Sequence, residues 1–328
     1  MTDVAAQAGS RLLFGYHMPN LTFPDAPPDE LFDRIAANVQ AAEAAGFDLV
    51  TVMDHFQQIP GVGREDEPML EAYATLGALA ARTSRVRLGA MVTGVTYRNP
   101  ALVAKAVTTL DVISKGRALL GIGAAWHEAE HQALGFEFPA IKERMDRLEE
   151  ALQICRLMFT EERPSFAGRH YRIDRALNTP RPIQAGGPPI LVGGGGERRT
   201  LRIVAKYADM SNWFGPLDEL RHKVDVLERH CAEIGRDPTT ILRTVMAPVV
   251  LVADHGNDAA VMERIAPERR AATTVATPDE AEDFLQPYLD LGFRGFILRN
   301  PGMMDPDVIG LAGEMISLMR GAAVPALG

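Results

Sequence analysis

An α/β fold, a (β/α)8 TIM barrel with insertions after the fourth and seventh strands, is the architecture this 328-residue chain predicts. Three observations predict it. Short apolar runs alternate with longer amphipathic segments eight times, which implies a parallel sheet. Runs such as Leu49-Val50-Thr51-Val52-Met53 are near-continuously apolar, as strands buried on both faces must be. Two helix-to-strand joints also look alike, Ala44-Ala45-Gly46-Phe47-Asp48 and Asp290-Leu291-Gly292-Phe293-Arg294. A doubly wound open sheet is the runner-up. Eight units favour the barrel, which takes about 250 residues and more with insertions.

The elements follow in order. Leu12 to His17 reads as the first strand. Pro27 to Ala45 reads as a helix, stopped by Gly46 where a left-handed residue ends helices. Leu49 to Met53 is the second strand, Leu70 to Arg82 a helix and Val86 to Val92 the third strand. Asn99-Pro100 supplies an N-cap and a first-turn proline for a helix to about Ser114. Ala118 to Ile122 is strand four, followed by a helix over Ile141 to Phe159. Between that helix and strand five, Arg163 to Gly187 is rich in proline and glycine, with a hairpin expected at Phe166 to Tyr171. Ile190 to Val192 is strand five, with a helix from about Glu197 to Tyr207, and Met210 to Trp213 is strand six. A helix over Pro216 to Ile234 leads to strand seven, Arg243 to Val252, and a second insertion, Asp254 to Thr277. Thr277-Pro278-Asp279-Glu280 is a capping box opening a helix to Leu291. Phe293 to Leu298 is strand eight, and Asp305-Pro306 caps a last helix to about Arg320. No linker divides residues 11–328, and Met1 to Ser10 read as a loose tail.

Composition narrows the function. The net charge of −9 gives no general attraction to nucleic acid or to anionic membrane. No apolar run approaches the ~20 residues of a membrane span. Cys155 and Cys231, the only cysteines, fall in helical patterns without a CxxC, which points to a reduced, cytoplasmic setting.

Four patterns carry chemistry. Asp54 and His55 stand side by side where the second strand ends, the end at which barrels and open α/β sheets place their sites. Neighbours on a strand point to opposite faces, so at most one need enter the site. His55, with an ordinary pKa near ~6.5, is the better proton-transfer group. Read plainly, the pair is a loop cap and a core histidine. The second pattern, Gly193-Gly194-Gly195-Gly196, lies between a strand and a helix, where backbone amides and a helix start suit a phosphate. It matches neither a P-loop nor a GxGxxG fingerprint, and its plain reading is a tight turn. Third, His127-Glu128-Ala129-Glu130-His131 matches the zinc motif HExxH. Its place just past a strand end, with Gly135 and Pro139 close behind, argues against zinc and leaves His127, Glu128 and His131 as pocket wall. Fourth, Gly89 to Gly94 switches from apolar to small polar residues at the end of strand three, where a strand stops or bulges. His17, Trp126 and Trp213 also stand at strand ends and complete the expected substrate pocket.

In order and spacing these pieces resemble the bacterial luciferase-like monooxygenase superfamily, most closely its branch using coenzyme F420, a 5-deazaflavin. The likeness runs from Leu12 to about Arg320. It rests on Met53-Asp54-His55-Phe56-Gln57, on Arg87-Leu88-Gly89 through Arg98-Asn99-Pro100-Ala101, on Gly121 through His131, and on Pro189 through Gly195. The resemblance implies a barrel with the cofactor ring at the carboxyl ends of the strands. It implies a non-proline cis peptide at Met91-Val92 in a bulge, with Thr93, that backs the ring. It places the cofactor phosphate on Gly193 to Gly196, and Asp54 and His55 beside the reactive ring carbon. An F420-dependent oxidoreductase acting on a small organic substrate is therefore expected, as a homodimer. An FMN-dependent monooxygenase and a non-catalytic flavin-binding protein are the alternatives. One departure stands out. Sugar-phosphate-oxidising relatives carry a catalytic glutamate after strand four where Trp126 stands here, and no lysine cluster replaces it, which disfavours a sugar phosphate.

Overall fold

The apolar runs pair side by side, all parallel, and close on themselves. The computed structural model describes residues 11–23, 26–265, 267–270, 273–299 and 302–321. The expected tail, Met1 to Ser10, lies outside them. In chain order the elements are β1 (Leu13–Met18), α1 (Pro28–Ala44), β2 (Leu49–Val52), α2 (Ala72–Arg82), β3 (Arg87–Ala90), β4 (Thr93–Gly94), α3 (Pro100–Ser114) and β5 (Leu120–Gly123). Then come α4 (Glu128–Leu134), α5 (Ile141–Thr160), β6 (Phe166–Ala167), β7 (Arg172–Ile173), β8 (Ile190–Gly193), α6 (Thr200–Tyr207), β9 (Met210–Trp213) and α7 (Leu217–Glu233). The last are β10 (Leu242–Ala247), β11 (Val249–Leu251), α8 (Asp258–Glu263), α9 (Pro267–Arg270), β12 (Thr274–Ala276), α10 (Ala281–Asp290), β13 (Gly295–Leu298) and α11 (Pro306–Gly321).

The main sheet runs β3-β2-β1-β13-β10-β9-β8-β5-β4. β3 and β4 are halves of one stave, so nine segments make eight staves. A Leu88↔Ala118 bridge joins the first half to the start of the next stave, and β4 pairs with β5 beyond the break. That closes the barrel. Both insertions lie where the sequence places them. β6 and β7 form an antiparallel hairpin, and β11 pairs with β12 in a second small parallel sheet. The expected seventh strand is cut in two at Pro248, which has no amide to give a ladder. Two helix starts shift. The helix after the glycine run begins at Thr200, not Glu197, and the one after the capping box begins at Ala281. Glu280 does reach back to the Thr277 amide (2.9 Å), but the Thr277 hydroxyl donates to Asp279 instead of completing the box. No helix among the described residues is long and apolar enough to cross a membrane.

Strand alternation separates two apolar layers. Leu49, Leu119, Leu191, Met210, Leu242 and Ile297 fill the barrel interior, while Val50, Val52, Phe296 and Leu298 face the helices. Toward the carboxyl ends the interior is filled by Val92. A Cβ added at Gly123 would sit 2.9 Å from the Val92 side chain, and one at Gly193 would sit 2.8 Å from it. At Gly121 an added Cβ would meet the Ala90 carbonyl oxygen at 2.1 Å, so only glycine fits beneath the interrupted stave.

Gly121→Ala forces backbone apart and is expected to destabilise by about 1–3 kcal/mol or more, as overpacking does. Gly77→Ala, on α2 with nothing within 4 Å of the new methyl, is expected to stabilise by about 0.5–1 kcal/mol. Urea denaturation of the two variants checks both signs.

Candidate active site

Asp54 and His55 follow β2 and diverge, as neighbours on an extended chain do. Asp54 turns under β4. Its Oδ2 accepts from Arg98 Nη1 (2.7 Å) and the Gly94 amide (3.2 Å), and its Oδ1 is buried without a partner. Arg98 also donates to Glu71 (2.5 Å). Burial raises the Asp54 pKa, and the Arg98 charge and hydrogen bond oppose that rise. For Arg98, burial alone would lower the pKa, but the two carboxylates outweigh it and raise it.

His55 turns toward α4. Its Nδ1 lies 2.9 Å from Glu130 Oε2, and its ring meets Trp126 and His127 edge-on at 5.7 and 5.9 Å. Glu130 is 0% exposed. Its Oε1 accepts the amides of Phe56 (2.7 Å) and Gln57 (2.9 Å), and Oε2 also accepts a short hydrogen bond from the Tyr97 hydroxyl. Burial pushes the Glu130 pKa up, but His55, Tyr97 and the Gln57 amide outweigh it and hold it at about 2. The Tyr97 phenol is raised by burial and by Glu130. Ala125, at a left-handed φ of 59°, turns the chain from β5 toward α4, and Arg144 fastens that turn through the Ala125 carbonyl (2.7 Å).

The other expected residues part company. His17 faces the interior against Thr51 (2.9 Å), and burial, then Arg299, lowers its pKa to about 3, so it is neutral. The Met91-Val92 peptide is cis, and both side chains pack against the inner layer. Thr93 is a correction. Its hydroxyl is spent on Tyr73 (2.7 Å) on the helix side, so only its backbone borders the bulge. Trp126, 58% exposed, stacks on His127 at 4.9 Å, and both flank His55. Glu128 is a second correction. It is exposed and takes Gln132, because two helical positions carry it about 200° from Glu130. His131 is buried with both nitrogens engaged. Nδ1 donates to the His127 carbonyl (2.7 Å), so Nε2 accepts from Thr96 (2.6 Å). The motif's second histidine thus directs no lone pair at a metal or substrate. Trp213 is the third correction. It is 1% exposed and packs on Phe293 in the helix-facing layer, because it alternates outward from Asn212.

Gly193 to Gly196 remain partly open. Among the described residues no protein acceptor takes the Gly195 or Gly196 amide. A Cβ at Gly195 would lie 2.7 Å from Lys223 Cε, and one at Gly196 would lie 2.9 Å from the Thr200 hydroxyl. Free amides beside a hydroxyl and the Lys223 side chain, whose ammonium lies 3.4 Å from Glu219, suit an anion. A cavity of about 430 Å³ lies elsewhere on the same rim, lined by Phe23, Leu251, Arg264 and Met304, and none of the expected pocket residues borders it.

Glu130, Tyr97, Arg98 and Lys223 were not singled out from sequence. Glu130 sits inside the HExxH string, where the motif itself hid it. Arg98 begins Arg98-Asn99-Pro100, which reads as a helix cap.

Comparison with known proteins places this geometry. A family model described as luciferase-like monooxygenase matches residues 13–307. An F420-dependent glucose-6-phosphate dehydrogenase of Intrasporangium calvum is 34% identical over 313 residues, covering 84% of this chain and 90% of the relative. Among solved structures, an F420-dependent secondary alcohol dehydrogenase in complex with an F420-acetone adduct superposes with TM-score 0.76 at 20% identity, covering 94% of this chain and 99% of the other. A type II Baeyer-Villiger monooxygenase from Pseudomonas putida, solved with FMN, superposes with TM-score 0.74 at 19% identity over 97% and 100%.

Arg98→Ala strands the Asp54 carboxylate in the core and is expected to cost about 3–5 kcal/mol, with part regained in the Arg98→Ala/Asp54→Asn double variant. Chemical denaturation of the set measures it. Glu130 gives a pH signature. Its folded pKa lies below the ordinary 4.5, so its contribution is complete above pH 4.5 and is lost as pH falls toward 2. The wild type is expected to lose more stability than Glu130→Gln across that window, read from urea midpoints at successive pH values.

Proposed function

The chain belongs to the luciferase-like monooxygenase family, and we propose that it is an F420-dependent oxidoreductase that moves a hydride between the deazaflavin and a small organic substrate. The observation that carries this reading is that the Met91-Val92 bulge and the glycine run are contiguous, with Val92 packed directly on Gly193. A platform for a flat ring thus runs straight into a cradle for a phosphate. Likeness to an F420-dependent dehydrogenase over 90% of that relative's length supports the choice of cofactor.

When bound, F420 supplies the carbon that accepts or gives up the hydride. The chain does the rest. The Gly195 and Gly196 amides, with Lys223 and Thr200, hold the phosphate. Met91 and Val92 back the ring. His55 takes the hydroxyl proton of an alcohol as it is oxidised, or returns one to a carbonyl as it is reduced. Asp54, neutralised by Arg98, anchors Gly94 and so fixes the strand that follows the bulge.

The substrate is a small molecule. The name of the Intrasporangium relative favours a sugar phosphate as a second reading. The exposed indole of Trp126 beside His55, and the commitment of Arg98 and Arg144 to protein oxygens, favour a less charged alcohol or carbonyl compound.

Fluorescence titration with F420 and with FMN tests the cofactor, and steady-state assays over alcohols, ketones and glucose 6-phosphate test the substrate. F420 is expected to bind tightly. His55→Ala is expected to lower kcat about 10²–10⁴-fold with little change in F420 affinity. Tight FMN binding with oxygen consumption and no F420 binding overturns the reading in favour of a monooxygenase.

A further inference from the structure

We propose that Glu130 is a positioning carboxylate that locks His55 in its Nδ1–H tautomer, so that Nε2 is the only atom of the ring that gives or takes the proton. This rests on the reading of His55 as the proton-transfer group, and it adds which nitrogen acts and what decides it.

Donors and acceptors decide the tautomer. Glu130 is fully buried and receives four donors: the Phe56 and Gln57 amides on Oε1, and His55 Nδ1 and the Tyr97 hydroxyl on Oε2. A carboxylate satisfied this way stays ionised, and an ionised carboxylate only accepts. Nδ1 of His55 therefore carries a proton in both the neutral and the cationic ring. Neutral His55 has its lone pair at Nε2, and protonation happens there.

The surroundings offer no competing partner. Trp126 and His127, from the loop before α4, meet the ring edge-on. Tyr97 and Arg98, after β4, are taken by Glu130 and by Asp54 with Glu71. His131, on the same helix as Glu130, spends its nitrogens on Thr96 and the His127 carbonyl. Among the described residues Nε2 has no protein hydrogen bond, and the side chain is 13% exposed. The two amides bound by the same carboxylate fix the backbone immediately after His55, so ring angle and loop are set together.

The neighbouring position matters as much as the charge. Glutamine at 130 keeps the size and can still accept the two amides, but it presents an NH2 group to Nδ1. Nδ1 must then accept, and the proton moves to Nε2. Glu130→Gln thus inverts the tautomer without removing the contact. A mere loop cap would leave the tautomer alone.

The test uses the intact chain labelled with ¹⁵N-histidine. Long-range ¹H–¹⁵N spectra above the His55 titration are expected to show Nδ1 protonated in the wild type and Nε2 protonated in Glu130→Gln. With F420 bound, kcat in Glu130→Gln is expected to fall about 10²–10⁴-fold, the size of a wrong-tautomer defect in a catalytic dyad. An Nε2–H wild type overturns the proposal without any variant, and so does a Glu130→Gln enzyme with the wild-type tautomer. Full turnover in His55→Ala, with the Nδ1–H tautomer present in the wild type, instead overturns the proton-transfer reading.

Discussion

Eight parallel staves closed into a barrel leave a narrow interior, and one side chain, Val92, takes the space near its mouth. Everything around it yields. Gly121, Gly123 and Gly193 carry no side chain where Val92 and the Ala90 carbonyl come inward, and the third stave breaks into β3 and β4 to let Val92 turn in. The constraint is steric, and it ties three distant stretches of chain together. It also puts the bulge and the glycine run in contact, which is why one feature of packing and one feature of ligand chemistry belong to the same place.

Around that mouth, charge is organised in two separate groups, each built on a buried carboxylate. Asp54, Arg98 and Glu71 form one, and Glu130, His55 and Tyr97 form the other. They start from consecutive residues because adjacent side chains of an extended segment point apart. A buried carboxylate is costly unless it is paired or saturated with hydrogen bonds. The first group meets that cost with a guanidinium, the second with four donors. The difference shows in the proton affinities. Asp54 is pushed upward by burial despite its partner, while Glu130 is held at about 2. The site therefore holds one carboxylate paired with a guanidinium and one kept ionised by four donors, His55 among them.

The mouth also carries an open aromatic side chain. Trp126 lies open beside His55 and is stacked on His127, so the wall beside His55 is aromatic. Such a wall gains from burying apolar surface.

Period and punctuation were legible in the sequence because they are local. Apolar runs, Asn99-Pro100, Gly46 and the Asp54-His55 pair fixed the barrel, both insertions and the end of the barrel that bears the site. Likeness to a known family supplied the cis peptide at Met91-Val92. Partners were not legible, since they come from other staves. Nothing local tells that Glu130 rather than Glu128 faces His55, that Trp213 turns outward to Phe293, that Thr93 is spent on Tyr73, or that His131 has no free nitrogen. Helix phase and strand alternation decide which way each side chain points, and that phase is set by where the element begins in the closed barrel. Sequence thus determined which titratable side chains and which glycine run stand at the strand ends. Tertiary packing decided which of them meet, because the hydrogen bonds of Asp54 and Glu130 join residues far apart in the chain.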